Sequence, residues 1–184
     1  MMRALFLDRD GIINEDLGYV HKIDDLKITA GIIELCQLFT KCDFKIFIVT
    51  NQSGIARGYF HLSDFELFQQ RIEQIFANNG VKIWETKYCP HHPNGIVEGL
   101  SFECSCRKPK PGMILTLIEK YQIDTNVSWM FGDKTSDMEC AKAALVKNRV
   151  LISQSAVDSS DAYTHSFPTI LAAKECLQNV INNQ

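Results

Sequence analysis

Two carboxylates one residue apart, Asp8 and Asp10, follow the apolar run Ala4 to Leu7 and are themselves followed by Gly11. Acids this close repel each other and call for a cation or a shared proton. A second polar run, Thr50-Asn51-Gln52-Ser53-Gly54, offers hydroxyls, amides and exposed backbone N–H groups. Such donors suit a phosphate. A third, Gly132-Asp133-Lys134-Thr135-Ser136-Asp137, supplies an acid in Asp133 that can complete the cation site begun by Asp8. Asp137 either supports that site from behind or caps the helix that follows. Arg107-Lys108-Pro109-Lys110-Pro111-Gly112 sets three cations beside two prolines that stiffen the backbone.

A different chemistry is written in Cys89-Pro90-His91-His92-Pro93 and Cys104-Ser105-Cys106. Three thiolates and an imidazole make a tetrahedral structural zinc set. His91 is the expected fourth ligand, and the spacing leaves His92 open as well. A closed site of four protein ligands has no position for water. It would shape a loop over about 89–106 and hold the cations after it in place.

The elements that must position these residues follow from apolar periodicity. Strands are expected at Ala4–Leu7, Phe44–Val49, Lys82–Tyr88, Val127–Phe131 and Arg149–Ile152. Helical spacing covers Ala30–Thr40, Gly112–Tyr121, a segment from Asp137 to about Leu145, and Thr169–Ile181. Another helix opens on a capping box at Ser63-Asp64-Phe65-Glu66 and ends at Gly80. The loop from Ile12 to Thr29 carries Asp16, Gly18, Tyr19 and His21 beside the acidic pair and could wall the site. Ser153 to Ser166 is polar, with room for a short edge strand. Strands alternating with helices imply an α/β, Rossmann-like parallel sheet with helices on both faces. Ligands of such sheets bind at the carboxyl ends of the strands, where three of the polar runs fall.

Bulk properties narrow the function classes. A chain of 184 residues is expected to form a single domain, 1–184. An apolar share of 46% and a charged share of 22% describe an ordinary globular protein. A net charge of −3 argues against a nucleic-acid binder that works by bulk electrostatics, but not against a small anionic substrate. The N-terminus does not read as a signal peptide, and no apolar run approaches the roughly 18 residues of a membrane span. Seven cysteines, an odd number, read as metal ligands and free thiols in a cytoplasmic protein. A monomer is the default expectation.

Taken together, Asp8-Arg9-Asp10-Gly11, Thr50 to Gly54, Lys108 and Gly132-Asp133-Lys134-x-x-Asp137 resemble the haloacid dehalogenase superfamily of phosphatases. Within it the sequence resembles the heptose 1,7-bisphosphate 7-phosphatase family through Gly18-Tyr19-Val20-His21, Thr50 to Gly58, Cys89 to Pro93, Cys106 to Pro109, and Pro111-Gly112-Met113. A sister family, the histidinol-phosphate phosphatases, has the same cysteine and histidine pairs with a much shorter interval between them. The long interval here favours the heptose family.

The resemblance implies a fold without a large cap domain and a phosphatase of nucleotide-activated heptose biosynthesis for surface polysaccharide. It implies that Asp8 is the nucleophile and Asp10 the general acid and base. Mg2+ is implied at Asp8, the Asp10 carbonyl and Asp133, and Zn2+ at Cys89, His91, Cys104 and Cys106. Thr50 and Lys108 would hold the phosphoryl group, with Asn51, Gln52 and Ser53 nearby. Arg107 and Lys134 would grip the substrate, and Asp16, Gly18 and Tyr19 would contact the sugar. Ile12 departs from the usual residue after the motif glycine. Leu145-Val146-Lys147-Asn148 replaces an Ala-Gly turn, with Asn148 expected in the left-handed position. Two alternatives stand beside this reading: a histidinol-phosphate or other small sugar-phosphate phosphatase, and a catalytically idle zinc-stabilised binding module.

Overall fold

A computed structural model describes residues 1–155 and 161–183. Its six strands are β1 (Ala4–Leu7), β2 (Lys45–Asn51), β3 (Ile83–Cys89), β4 (Trp129–Gly132), β5 (Asn148–Ile152) and β6 (His165–Phe167). They form one sheet in the order β3-β2-β1-β4-β5-β6, and every pairing is parallel. The helices are α1 (Ile32–Lys41), α2 (Leu62–Asn78), α3 (Gly112–Tyr121), α4 (Thr135–Ala143) and α5 (Ile170–Asn182).

Alternation along the central strands explains the layers. Leu5 and Leu7 of β1 pack on one face with α1, α5 and the Phe68, Ile72 and Phe76 stripe of α2. Ala4 and Phe6 pack on the other, against Met113, Ile114 and Leu117 of α3 and Met138 of α4. Burial on both faces is why these strands read as unbroken apolar runs. From β1 the chain winds outward to β2 and β3, then returns to lay β4 on the opposite side of β1. The switch point therefore falls between the tips of β1 and β4, where open α/β sheets bind ligands. The segments 8–31 and 90–111 rise beyond those tips, and no large cap domain is present among the described residues.

Several expectations shift. Strand β2 runs on through Thr50 and Asn51, which pair with Tyr88 and Cys89, so these polar residues belong to the strand itself. Helix α2 begins at Leu62, and the Asp64 carboxylate takes the His61 N–H at 2.7 Å. Glu66 lies too far into the helix to serve as the box acid expected of it. Asn148 does not take the left-handed position. Helix α4 ends at Ala143, so that conformation falls on exposed Leu145 (φ 60°), while Asn148 opens β5. The expected edge strand is β6; residues 156–160 of the polar stretch before it lie outside the described residues.

Candidate active site

Lys108 is the hub of the strand-tip cluster. It is only 4% exposed, and an ammonium has three protons to donate. Its Nζ meets Asp8 Oδ1 at 2.7 Å, the Val49 carbonyl at 2.8 Å and Asp137 Oδ1 at 2.6 Å. Burial opposes this charge, but the Asp137 and Asp8 carboxylates outweigh it and hold the ammonium above its ordinary value. The Asn51 side chain fixes the lysine's main chain from both sides. Its Oδ1 accepts the Lys108 N–H at 3.0 Å, and its Nδ2 donates to the Lys108 carbonyl at 3.1 Å.

Asp137 serves both alternatives left open by sequence, in altered form. Its Oδ2 accepts the Lys134 N–H at 3.1 Å, capping α4, while Oδ1 holds Lys108. Gly132 is required for this approach, because a Cβ there would stand 2.4 Å from Asp137 Cβ. With both its oxygens engaged by these donors, Asp137 acts as the anchor of Lys108.

Asp133 differs. Its Oδ1 is buried with no hydrogen-bond partner, and Oδ2 lies 3.7 Å from Lys134 Nζ. Burial, with the Asp8 charge added, pushes its carboxyl up to about 7. Burial likewise raises the Asp8 carboxyl, with Lys108 pulling the other way and Asp137 adding to the rise. Ligand oxygens of Asp8, Asp133 and Asp137 lie within 4.8 Å of one another. A buried, orphaned carboxylate oxygen beside a second raised acid is the signature of a place for a hard cation. Asp8 and Asp133 fit that role. Gly11 (φ +93°) makes room, since a Cβ there would sit 2.3 Å from Asp133 Oδ2.

Asp10 is held by its neighbours. Arg9 Nε and Nη2 donate to Oδ1 at 3.0 and 2.9 Å, and Nη2 reaches Oδ2 at 2.9 Å. Asn14 Nδ2 adds a bond to Oδ1 at 3.0 Å, and Gln52 Nε2 one to Oδ2 at 2.9 Å. The same Gln52 nitrogen donates to Thr50 Oγ1 at 2.9 Å. Gln52 and Asn51 thus spend their amides on Asp10, Thr50 and Lys108. The Thr50 hydroxyl, accepting from Gln52, keeps its own proton to donate.

Asp10, Lys108, Asp16, Gly18, Tyr19, Ser53, Arg107 and Lys134 line one cavity of about 450 Å³, together with Asn51, Gln52, Gly54 and Ser136. Across its mouth Lys134 Nζ meets Asp16 Oδ2 at 3.1 Å. Asp16 Oδ1 takes the Gly18 N–H at 3.0 Å, and the Tyr19 ring stands edge-on to Tyr59 with centroids 4.7 Å apart.

The second cluster ends β3. Cys89 Sγ lies 3.4 Å from Cys104 Sγ and 3.6 Å from His91 Nδ1. Cys106 Sγ lies 3.3 Å from both Cys104 Sγ and His91 Nδ1. These separations exceed a disulfide bond and approach the edges of a tetrahedron about one metal ion with bonds of about 2.3 Å to sulfur. Burial and the neighbouring thiols push Cys89 far above its ordinary value, whereas hydrogen bonds from Cys106, Cys89 and the Arg107 N–H lower Cys104 despite its burial. Three sulfurs and an imidazole this close are a donor set that fits Zn2+. His91 belongs to the set. His92 turns away, its Nε2 2.9 Å from Arg57 Nη2. Gln52 N–H bonds the Cys89 carbonyl at 2.7 Å, and Arg107 N–H meets Cys104 Sγ at 3.3 Å, so both ends of this cluster touch the strand-tip site.

The structure adds residues that the motifs passed over. Arg9 is 1% exposed and Asn14 fully buried, yet both converge on Asp10. A charge lodged between two acids at the end of a buried strand is costly unless paired, and that was the available signal. Ser136 in the cavity wall had none.

Residues 96–150 match the haloacid dehalogenase-like hydrolase family. A protein of Pasteurella multocida (strain Pm70), D-glycero-beta-D-manno-heptose-1,7-bisphosphate 7-phosphatase, is 46% identical over 83% of this chain and 82% of its own length. The protein of the same name from Escherichia coli (strain K12) is 46% identical over 81% of this chain and 78% of its own. Among solved structures, D,D-heptose 1,7-bisphosphate phosphatase from B. bronchiseptica, complexed with magnesium and phosphate, superposes with a TM-score of 0.81 at 26% identity, covering 97% of this chain and 99% of that one. A protein of Mesorhizobium loti described as a HAD-like phosphatase gives a TM-score of 0.89 at 28% identity, covering 99% and 87%.

Proposed function

From the premise that the chain belongs to the heptose-1,7-bisphosphate 7-phosphatase family of haloacid dehalogenase-like hydrolases, we propose that it removes the 7-phosphate of D-glycero-β-D-manno-heptose 1,7-bisphosphate through an aspartyl-phosphate on Asp8. One observation carries the mechanism: a buried ammonium, Lys108, tethered by Asp137 and aimed at Asp8 at 2.7 Å.

Asp8 attacks phosphorus while Thr50 and Lys108 hold the phosphoryl oxygens and stabilise the charge that builds on them. Asp10 gives its proton to the departing sugar oxygen, then takes one from the water that cleaves the acyl-phosphate. Asp8, the Asp10 carbonyl and Asp133 would hold Mg2+, which when bound offsets the repulsion between carboxylate and phosphate. Cys89, His91, Cys104 and Cys106 would hold Zn2+, whose part is to shape the loop that presents Arg107 and Lys108. Arg107 and Lys134 grip the distal 1-phosphate, while Asp16, Gly18 and Tyr19 face the sugar and Ser53 the transferred group. Asn51 and Gln52 act through Lys108, Asp10 and Thr50. Cysteines without a disulfide among them fit the reducing cytoplasm, and no helix among the described residues is long and apolar enough to cross a membrane.

Turnover of both heptose bisphosphate anomers and of histidinol phosphate, followed by phosphorus NMR, tests this reading. The expected result is release of the 7-phosphate with the 1-phosphate retained and the β anomer preferred. Preference for histidinol phosphate, or loss of the 1-phosphate, would overturn it.

A further inference from the structure

Arg9 stands between the two catalytic acids with its guanidinium buried, and the mechanism above gives it no task. The guanidinium lies over the Phe68 ring at 4.8 Å and near Phe65 at 5.6 Å, both on α2. Nη2 also donates to the Val20 carbonyl at 3.0 Å, in the loop that walls the cavity. Nη2 has two protons. Val20 takes one, so the other is shared between the two oxygens of Asp10. Oδ1 therefore receives that share plus full bonds from Arg9 Nε and Asn14 Nδ2. Oδ2 receives the share plus the Gln52 bond alone, and Gln52 ties it to Thr50 in the phosphoryl site.

We propose that Arg9 is a positioning residue for proton transfer: with Asn14 it holds Oδ1 of Asp10 and so turns Oδ2, the oxygen linked through Gln52 to the phosphoryl site, toward the reacting oxygen. The inference rests on the phosphatase reading. In the first step the Asp8–phosphorus bond forms, the phosphorus–sugar oxygen bond breaks, and the proton on Oδ2 passes to that oxygen. In the second, Oδ2 takes a proton from water as the water oxygen bonds phosphorus and the bond to Asp8 breaks. Inorganic phosphate leaves, and Asp10 is again protonated. A carboxyl group free to rotate would present either oxygen to that site.

Leaving-group dependence separates this role from a merely architectural one. Nitrophenolate departs without a proton, whereas a sugar alkoxide requires one. Rapid-quench measurements compare the wild-type protein, Arg9→Met and Arg9→Lys on heptose bisphosphate and on p-nitrophenyl phosphate. For Arg9→Met, phosphoryl transfer from the sugar should fall about 10²-fold or more, the scale of general acid catalysis. The first equivalent of nitrophenolate should appear within about threefold of the wild-type rate, followed by a slow steady state as dephosphorylation lags. Arg9→Lys keeps the charge and apolar stem but not the fork, and should show the same selective loss at about tenfold. It carries the test alone if Arg9→Met does not fold. Equal losses on both substrates in a folded variant, or no loss on either, would overturn the proposal. A wild-type protein inert on both substrates would instead overturn the phosphatase reading on which it stands.

Discussion

The carboxylates at the tips of β1 and β4 and the thiols at the end of β3 both crowd like-charged ligands, yet they are organised in different ways. The carboxylate cluster carries its own cation: Lys108 ties Asp8 to Asp137, and only Asp133 is left with an orphaned oxygen. It stands on sheet strands whose register the core fixes, since Asp8 N–H bonds the Phe131 carbonyl at 3.0 Å. The thiol set joins β3 to a segment with little regular structure. One cluster is therefore preorganised by the fold and open toward a cavity. The other is closed on itself, its four ligand atoms gathered within 4.8 Å of one another. Under the proposed function, chemistry belongs to the first and loop geometry to the second.

The largest effect that can break this contrast is loss of the proposed nucleophile. Asp8→Asn should lower turnover by roughly 10⁴-fold or more. Zinc per chain by elemental analysis should stay at the parent value; a parallel loss of zinc would mean the clusters are not independent. Next is Lys108→Met, which leaves Asp8 and Asp137 buried without their shared partner. It should cost roughly 3–5 kcal/mol in urea unfolding and about 10²–10³-fold in kcat. Unchanged stability would show that the ammonium does not tether Asp8 to Asp137.

Cys104→Ala strikes the other cluster. Zinc content should fall, and KM should rise about tenfold with a smaller change in kcat, because Arg107 is displaced while the strand tips stay in place. A loss confined to kcat would erase the distinction between the two regions. Proton competition at the open cluster gives the smallest effect. Asp133 rises from its ordinary 3.8 to about 7 in the metal-free fold. The native state then binds the extra proton between those values, so the metal-free protein loses stability as pH rises toward 7. For the same reason Mg2+ binding, followed by calorimetry, should weaken about tenfold for each pH unit below about 7. A flat Mg2+ affinity from pH 5 to 8 would place the cation elsewhere.

What could be read from sequence follows the physics of each part. Strand β1 and helix α3 have the expected bounds because uninterrupted apolar runs and helical spacing leave little choice. The thiol set was legible because its ligand types have few other reasons to cluster. Thr50 and Asn51 fall outside the expected strand because polar side chains end an apolar pattern, although the backbone ladder continues through them. The bond from Gln52 to Asp10 spans 42 residues, and the clamp of Asn51 on Lys108 spans 57. No local pattern encodes such partners. Leu145 carries no signal for a left-handed conformation; the length of α4 places it there.

Covalent trapping addresses the open cluster most directly. The protein is quenched in acid during turnover of heptose bisphosphate, treated with borohydride to reduce any acyl-phosphate to an alcohol, digested, and sequenced by mass spectrometry. Nucleophilic attack by Asp8 predicts homoserine at position 8, with Asp10 and Asp133 intact. An unmodified Asp8 under conditions that yield phosphate, or modification at Asp10 or Asp133, would contradict it.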